Sequence, residues 1–398
     1  VTVGQPPRQP PGEPPGQPPG QPPRDPVEAR LDLLRGRAMP VNHDARTISA
    51  LAANPGCPRR ALMDAAGVHK HEIAKHVGLP APYGLSPFAR SRGNAFEAQV
   101  KENSASLLLA LLREHIGLDI ASAHYDDLSQ VGAGESTALR HVRTRHKLLG
   151  ADPRTQTMFD HPLLRLKVGG RYAYLEPDLL ALHHEGRWYV VEVKSFAIID
   201  GQADPEKVAA AAIQSAVYVH ALRDLLGPDP GTGASPVHHE TILVAPENFA
   251  NKPSAARLDV RKQLGVIGRQ LDRIASIDSL LGACPADLTF DLDPGPDGRP
   301  RRAPGELRGA IETVIANYAP ECLATCELCF VCRDEARAYG DTGALGKSVR
   351  EDLGGIETIP QALGLARGAL SAAPEREEIS VKLKHAAQIW EQLTGQAV

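Results

Sequence analysis

The stretch "YLEPDLLALHHEGRWYVVEVKSF", residues 174–196, decides the fold. Two apolar runs flank "HHEG", which reads as a tight turn between antiparallel strands. The second run nevertheless carries Glu192 and Lys194, and the first carries Asp178. A carboxylate and an ammonium in an apolar strand are costly unless they are paired, hydrogen-bonded or bound to a metal. With the turn centred near Glu185, position 178 falls opposite position 192. Directly opposed residues share a face, with Cβ atoms about 4.5–5.5 Å apart. Residues 192 and 194 share it too, because strand side chains alternate. Asp178, Glu192 and Lys194 are therefore expected to converge on one patch.

Two adjacent carboxylates repel, and one would ordinarily take up a proton. A divalent cation that prefers hard oxygen ligands, Mg²⁺ or Mn²⁺, removes the conflict. A neighbouring lysine can then orient or activate a metal-associated water and stabilise charge on a phosphate. Such a set suits phosphodiester hydrolysis.

Outward from this stretch, "LLRLKV", a Gly169-Gly170 turn, "RYAYLEPDLLAL" and "RWYVVEVKSF" read as three antiparallel strands. Helices are expected at 28–38, 58–77, 86–117, 135–149, 204–226, 254–282 and 305–318, with a further strand at 240–246. Asp204 before Pro205 is a helix start. The reading is an α/β fold with a central mixed β-sheet flanked by helices. A mobile Pro/Gly-rich arm (1–27) precedes a domain over 28–340, and a helical tail (341–398) follows. Within the tail, "VREDLGGIETIPQALGLARGAL" (349–370) reads as helix, Gly-Gly turn, helix, and faintly resembles a DNA-binding helix–hairpin–helix. Residues 376–392 suit a final amphipathic helix.

The strand residues resemble those of a known group. "EPD" ending at Asp178 and "VEVK" holding Glu192 and Lys194 look like the PD-(D/E)xK nuclease motif. "RGNAFEAQV" places Glu97 on a preceding helix, and "IQSAVYVHAL" gives Gln214 and Tyr218 one helical turn apart. These features resemble the RecB-like branch. The resemblance covers roughly residues 50–335 and implies a restriction-endonuclease-like core. It implies that Glu97, Asp178, Glu192 and the carbonyl of Val193 hold Mg²⁺ or Mn²⁺. Lys194 would activate the attacking water, and Gln214 and Tyr218 would support the lysine and the DNA strand. In this branch the position of Glu97 is often histidine.

Cys322, Cys326, Cys329 and Cys332 crowd into eleven residues, whereas Cys57 and Cys284 stand alone. Without a secretion signal, such packing reads as metal or cluster ligation rather than disulfides. The thiols alone suit zinc. Similarity to AddB-type and CRISPR-associated iron–sulfur nucleases implies instead a [4Fe–4S] cluster on Cys57, Cys322, Cys326 and Cys332, with Cys329 competing for a late position. Such a cluster would act chiefly as a staple.

The apolar fraction of 42% and charged fraction of 23% are ordinary for a globular protein, and aromatics at 4% offer no base-stacking platform. A net charge of −4 leaves DNA contact to local basic runs: "RTRHK" (143–147), "CPRR" (57–60) and "RPRR" (299–302). No apolar run is long enough to span a membrane, so a cytoplasmic location is expected. The expected partner is DNA, single-stranded or bearing ends, with any unwinding left to a helicase or other subunit because no phosphate-binding G-x-x-x-x-G-K-[ST] loop is present. Repair, CRISPR adaptation and phage defence all suit such an activity. Two alternatives stay open: a non-catalytic DNA-binding or assembly subunit, and a defence-system endonuclease.

Overall fold

The computed structural model describes residues 25–41, 43–81, 87–132, 134–152, 154–175, 179–248 and 251–396. Four helices lead: α1 (Pro26–Arg35), α2 (Ala45–Ala53), α3 (Pro58–Ala65) and α4 (Lys70–His76). Then come α5 (Pro87–Leu111), β1 (His124–Asp127), α6 (Thr137–Leu149) and β2 (Thr157–Asp160). Strands β3 (Leu164–Val168), β4 (Arg171–Leu175), β5 (Leu179–His184) and β6 (Arg187–Val193) follow in quick succession. Helix α7 (Pro205–Leu226) leads to β7 (Glu240–Glu247) and β8 (Lys252–Asp259). The remainder is helical: α8 (Arg261–Leu271), α9 (Ile277–Gly282), α10 (Pro304–Glu312), α11 (Cys322–Thr325), α12 (Cys329–Tyr339), α13 (Lys347–Asp352), α14 (Ile359–Ala366) and α15 (Glu377–Thr394).

The expected α/β class holds: a mixed six-stranded sheet, ordered β1-β2-β5-β6-β7-β8, lies between helices. Pairings β1–β2 and β6–β7 are parallel, and β2–β5, β5–β6 and β7–β8 are antiparallel. One face packs on α5: Phe96, Val100 and Leu108 meet Met158, Leu182, Val191 and Val244 in one buried cluster. The other face packs on α7, where Ala212, Ala216 and Tyr218 join Phe159, Ala181 and Val190. Central strands buried on both faces explain why β6 and β7 read as nearly continuous apolar runs.

Several expectations need correction. The middle of the three expected strands is two strands, because β4 pairs with β3 in a separate two-stranded sheet and only β5 joins β6. The expected helix at 58–77 is α3 and α4, separated at Gly67 (φ 67°), whose Cβ position is filled by Pro40. The expected helix at 254–282 begins as edge strand β8. Helix α2 and strands β1 and β2 were not foreseen. Helix α5 is interrupted at Glu102–Ala105, where the backbone leaves helical geometry.

The tail forms the expected helix, Gly-Gly turn and helix, with Gly354 and Gly355 at positive φ between α13 and α14. A Cβ on Gly354 would lie 2.3 Å from Ile379 Cδ1 of α15, so the close seat of α15 itself requires glycine there. Leu353, Ile356 and Leu365 form the small core of this region.

Helix α3 is held by charge. Asp64 is buried, accepts from Arg60 Nε at 3.1 Å, and pairs with Lys70. Arg60 also donates to Thr325 O at 2.7 Å, and Lys70 lies 3.6 Å from Glu327, which ties α3 and α4 to the cysteine segment. Burial would raise the Asp64 carboxyl, but Lys70 and Arg60 outweigh it and leave it below the ordinary carboxylate value. A depressed folded-state pKa stabilises above the unfolded value of about 4 and loses that contribution as pH falls through the folded one. Asp64→Asn is expected to remove about 3–5 kcal/mol at pH 7 by stranding buried cations. Urea denaturation at pH 7 and at pH 3 would show the difference from wild type shrinking in acid.

Candidate active site

The β5–β6 hairpin turns on Glu185 and Gly186, whose φ values of 49° and 72° are those of a two-residue type I′ connection. The turn is thus centred between 185 and 186, and the register pairs Leu179 with Glu192. The expected pairing of position 178 with Glu192 is off by one for that reason. Asp178 itself lies outside the described residues.

Glu192 sits at the end of the central strand β6 with a side chain 4% exposed. Its Oε1 lies 2.5 Å from Lys194 Nζ, and Lys194 Nζ donates to Gln214 Oε1 at 2.7 Å. Alternation places Glu192 on the face of Val190, toward α7, and Gln214 descends from that helix. Lys194 is fixed at the backbone as well, since its N–H donates to Val244 O of β7 at 2.8 Å. Helix α7 begins where expected, with Asp204 accepting from the N–H groups of Glu206 and Lys207. Tyr218 lies one turn beyond Gln214 and is buried in the α7 face of the core. Glu192, Lys194 and Gln214 are therefore brought together, with Tyr218 one helical turn along α7. Val193 ends β6 with its side chain turned to the α5 face.

Glu97 belongs to a second network on that α5 face. It pairs with Lys101 Nζ at 2.5 Å, and Lys101 reaches Asp160 Oδ1 at 2.7 Å. Asp160 also accepts from the Tyr125 hydroxyl at 2.5 Å and from the His161 N–H at 3.0 Å. Burial would raise the Asp160 carboxyl, but His161 and Lys101 outweigh it and hold it at about 2. The Tyr125 phenol is pushed up by burial and by that carboxylate. Asp160 opposes Leu180, which opposes Val191, so the two networks lie at the same end of the sheet, about 10 Å apart across two strand spacings. The first turns of α5 close on this end: a Cβ on Gly93, one turn before Glu97, would meet Ser195 Oγ at 3.5 Å. The sequence reading passed over Lys101 and Asp160. Lys101, at i+4 from Glu97, was the available signal.

Asp127, Asp160 and His161 offer donor atoms within 4.8 Å of one another. Asp160 already receives Lys101, Tyr125 and the His161 N–H, so this trio does not present three open ligands. A cavity of about 290 Å³ lined by His43, Asp64, Arg171 and Tyr174 involves none of the expected site residues.

Cys57 caps α3, while α11 and α12 carry the late cysteines. Cys57, Cys326, Cys329 and Cys332 are buried, and Cys322 is half-buried. Cys332 is close enough to Cys57 and to Cys326 for their charges to couple, as Cys329 is to Cys322. Burial pushes the Cys326 and Cys332 thiols up to about 12. The "CPRR" run is not a surface patch: Arg59 and Arg60 are buried. Arg59 donates to Cys332 Sγ at 3.2 Å, to Val314 O at 2.8 Å and to both Glu335 oxygens at 2.6 and 3.0 Å. Asn54 Nδ2 lies 3.5 Å from Cys322 Sγ. Cys284 stands apart, donating to Leu280 O. Among the described residues no helix is long and apolar enough to cross a membrane.

Comparison of the chain with protein-family models, curated proteins and solved structures returns no match. Any functional reading therefore rests on the residues themselves. The register that sets Glu192 depends on the hairpin turn, which gives a direct check. Gly186 has open space around its Cβ position, so Gly186→Ala carries only the backbone cost of a left-handed conformation, about 1–2 kcal/mol. Chemical denaturation should show that loss.

Proposed function

We propose that the chain is a metal-dependent DNA nuclease of the RecB-like PD-(D/E)xK type, with a restriction-endonuclease-like core. The observation that carries this reading is the contact chain Glu192–Lys194–Gln214, which joins the end of β6 to α7. Glu97, Asp178, Glu192 and the Val193 carbonyl would hold Mg²⁺ or Mn²⁺. Bound there, the cation supplies positive charge to the phosphate and a more acidic water. Glu192 is nearly buried, ends a strand and points along the α7 face, so its carboxylate is held in place without mobile loops. Lys194 is fixed between two acceptors, yet its side chain is 28% exposed, which suits contact with a water or phosphate oxygen. Gln214 orients the ammonium, and Tyr218 backs the helix that carries it. DNA with free ends, or single-stranded DNA, is the substrate class by analogy alone.

The test is Mn²⁺-dependent cleavage of end-labelled DNA. Lys194→Ala and Asp178→Ala should each lower the rate at least about 100-fold, the first by loss of acid–base catalysis and the second by loss of a metal ligand. Equal background rates in all three proteins would leave a non-catalytic DNA-binding role. Progressive shortening of linear DNA, with closed circles spared, marks an exonuclease; discrete fragments from circles mark the endonuclease.

The thiols would hold a [4Fe–4S] cluster. Their setting fits an anionic group, because Arg59 contacts Cys332 Sγ while Arg60 and Lys70 lie close enough to Cys326 to act on its charge. Cys57, Cys322, Cys326 and Cys332 would be its ligands, with Cys329 competing for one of the late positions. Purified protein should contain about four iron and four labile sulfide per chain, both lost in Cys57→Ser. Stoichiometric zinc without iron would replace the cluster with a zinc site.

A further inference from the structure

An exposed Glu–Lys pair at i,i+4 on a helix is weak and leaves both side chains mobile. The Glu97–Lys101 pair differs because its lysine is anchored. Lys101 is 10% exposed, and its ammonium is shared with Asp160, a side chain 3% exposed. Asp160 is fixed in turn by the Tyr125 hydroxyl from β1 and by the backbone N–H of His161. Glu97 is thus tied to two strands through one ammonium. The tie has a geometric purpose: Glu192 and Val193 ride on β6, whereas Glu97 rides on a separate helix. A carboxylate brought from a separate element needs outer-shell partners to stay in ligating position.

We infer that Asp160 and Lys101 are positioning residues for the carboxylate of Glu97, a role that rests on the nuclease reading above. Lys101 acts as a spacer between two carboxylates, and Asp160 keeps that spacer from following Glu97 outward. Pure charge and positioning predict opposite signs. If Lys101 were only a nearby positive charge, removing it would tighten cation binding. If it positions Glu97, removing it loosens binding.

The probe is Mn²⁺ alone, its binding to the full-length protein measured by calorimetry and by the electron paramagnetic resonance of free Mn²⁺. Lys101→Met and Asp160→Asn should each weaken Mn²⁺ binding by about tenfold or more. Cleavage should fall at limiting Mn²⁺ and recover at saturating Mn²⁺, with KM for DNA unchanged. Lys101→Arg, which can span both carboxylates, should restore binding toward wild type. Thermal unfolding of each variant identifies any that fails to fold, and the Lys101→Met and Lys101→Arg pair then decides without Asp160→Asn. Mn²⁺ binding by Lys101→Met as tight as wild type, or tighter, overturns the positioning role. Wild type that neither binds Mn²⁺ nor cuts DNA overturns the nuclease reading first, and the positioning role with it.

Discussion

A carboxylate 4% exposed at the end of the central strand must be neutralised, and Lys194 does so from just beyond the strand's last residue, Val193. A buried charge without a partner costs several kcal/mol, so removing Lys194 would strand the Glu192 carboxylate. The ammonium is in turn placed by Gln214, which requires α7 to cross the sheet at one height. Ala212, Ala216 and Tyr218 of α7 lie in the same buried apolar cluster as Val190. The polar contact chain and the packing of α7 therefore depend on each other.

Charges that interrupt an apolar strand are conspicuous, which is why Glu192 and Lys194 were legible. Gln214 and Tyr218 followed because helical spacing is regular. The register was less so: a two-residue turn and one centred on Glu185 differ by a single position, and only backbone geometry separates them. Strands β1 and β2 escape notice because "HYDD" and "TMFD" are short and mixed, and their strand character comes from pairing with neighbours. Strand β8, "KPSAARLD", resembles helix by composition, and its pairing with β7 overrides that preference. Asp160 was hidden for a different reason. Its partners come from α5, β1 and the strand end, and no local pattern announces a residue defined by three distant segments.

The cysteine region follows the same logic at longer range. Cys57 and Cys332 are far apart in sequence, yet Arg59, two residues after Cys57, already grips Cys332, Val314 and Glu335. Arg59 thus ties the start of α3, next to Cys57, to the helix that carries Cys332. Read as sequence, "CPRR" suggested a basic surface. In the fold its arginines are interior counter-charges, which a guanidinium's planar, multi-donor head suits better than an ammonium.

Strand directions explain why both ion networks occur at one edge. β1, β2, β6 and β7 all run the same way, as their parallel and antiparallel pairings require, so Asp127, Asp160 and Glu192 all fall at strand C-terminal ends. Antiparallel β5 begins at that edge, immediately after Asp178 in the chain. In open α/β sheets this edge is where backbone carbonyls and loop entries leave room for ligands. Alternation then divides the charged residues between the two faces, Glu192 toward α7 and Asp160 toward α5. A ligand that engages Glu97 and Glu192 together must sit beyond the sheet's end rather than on either face.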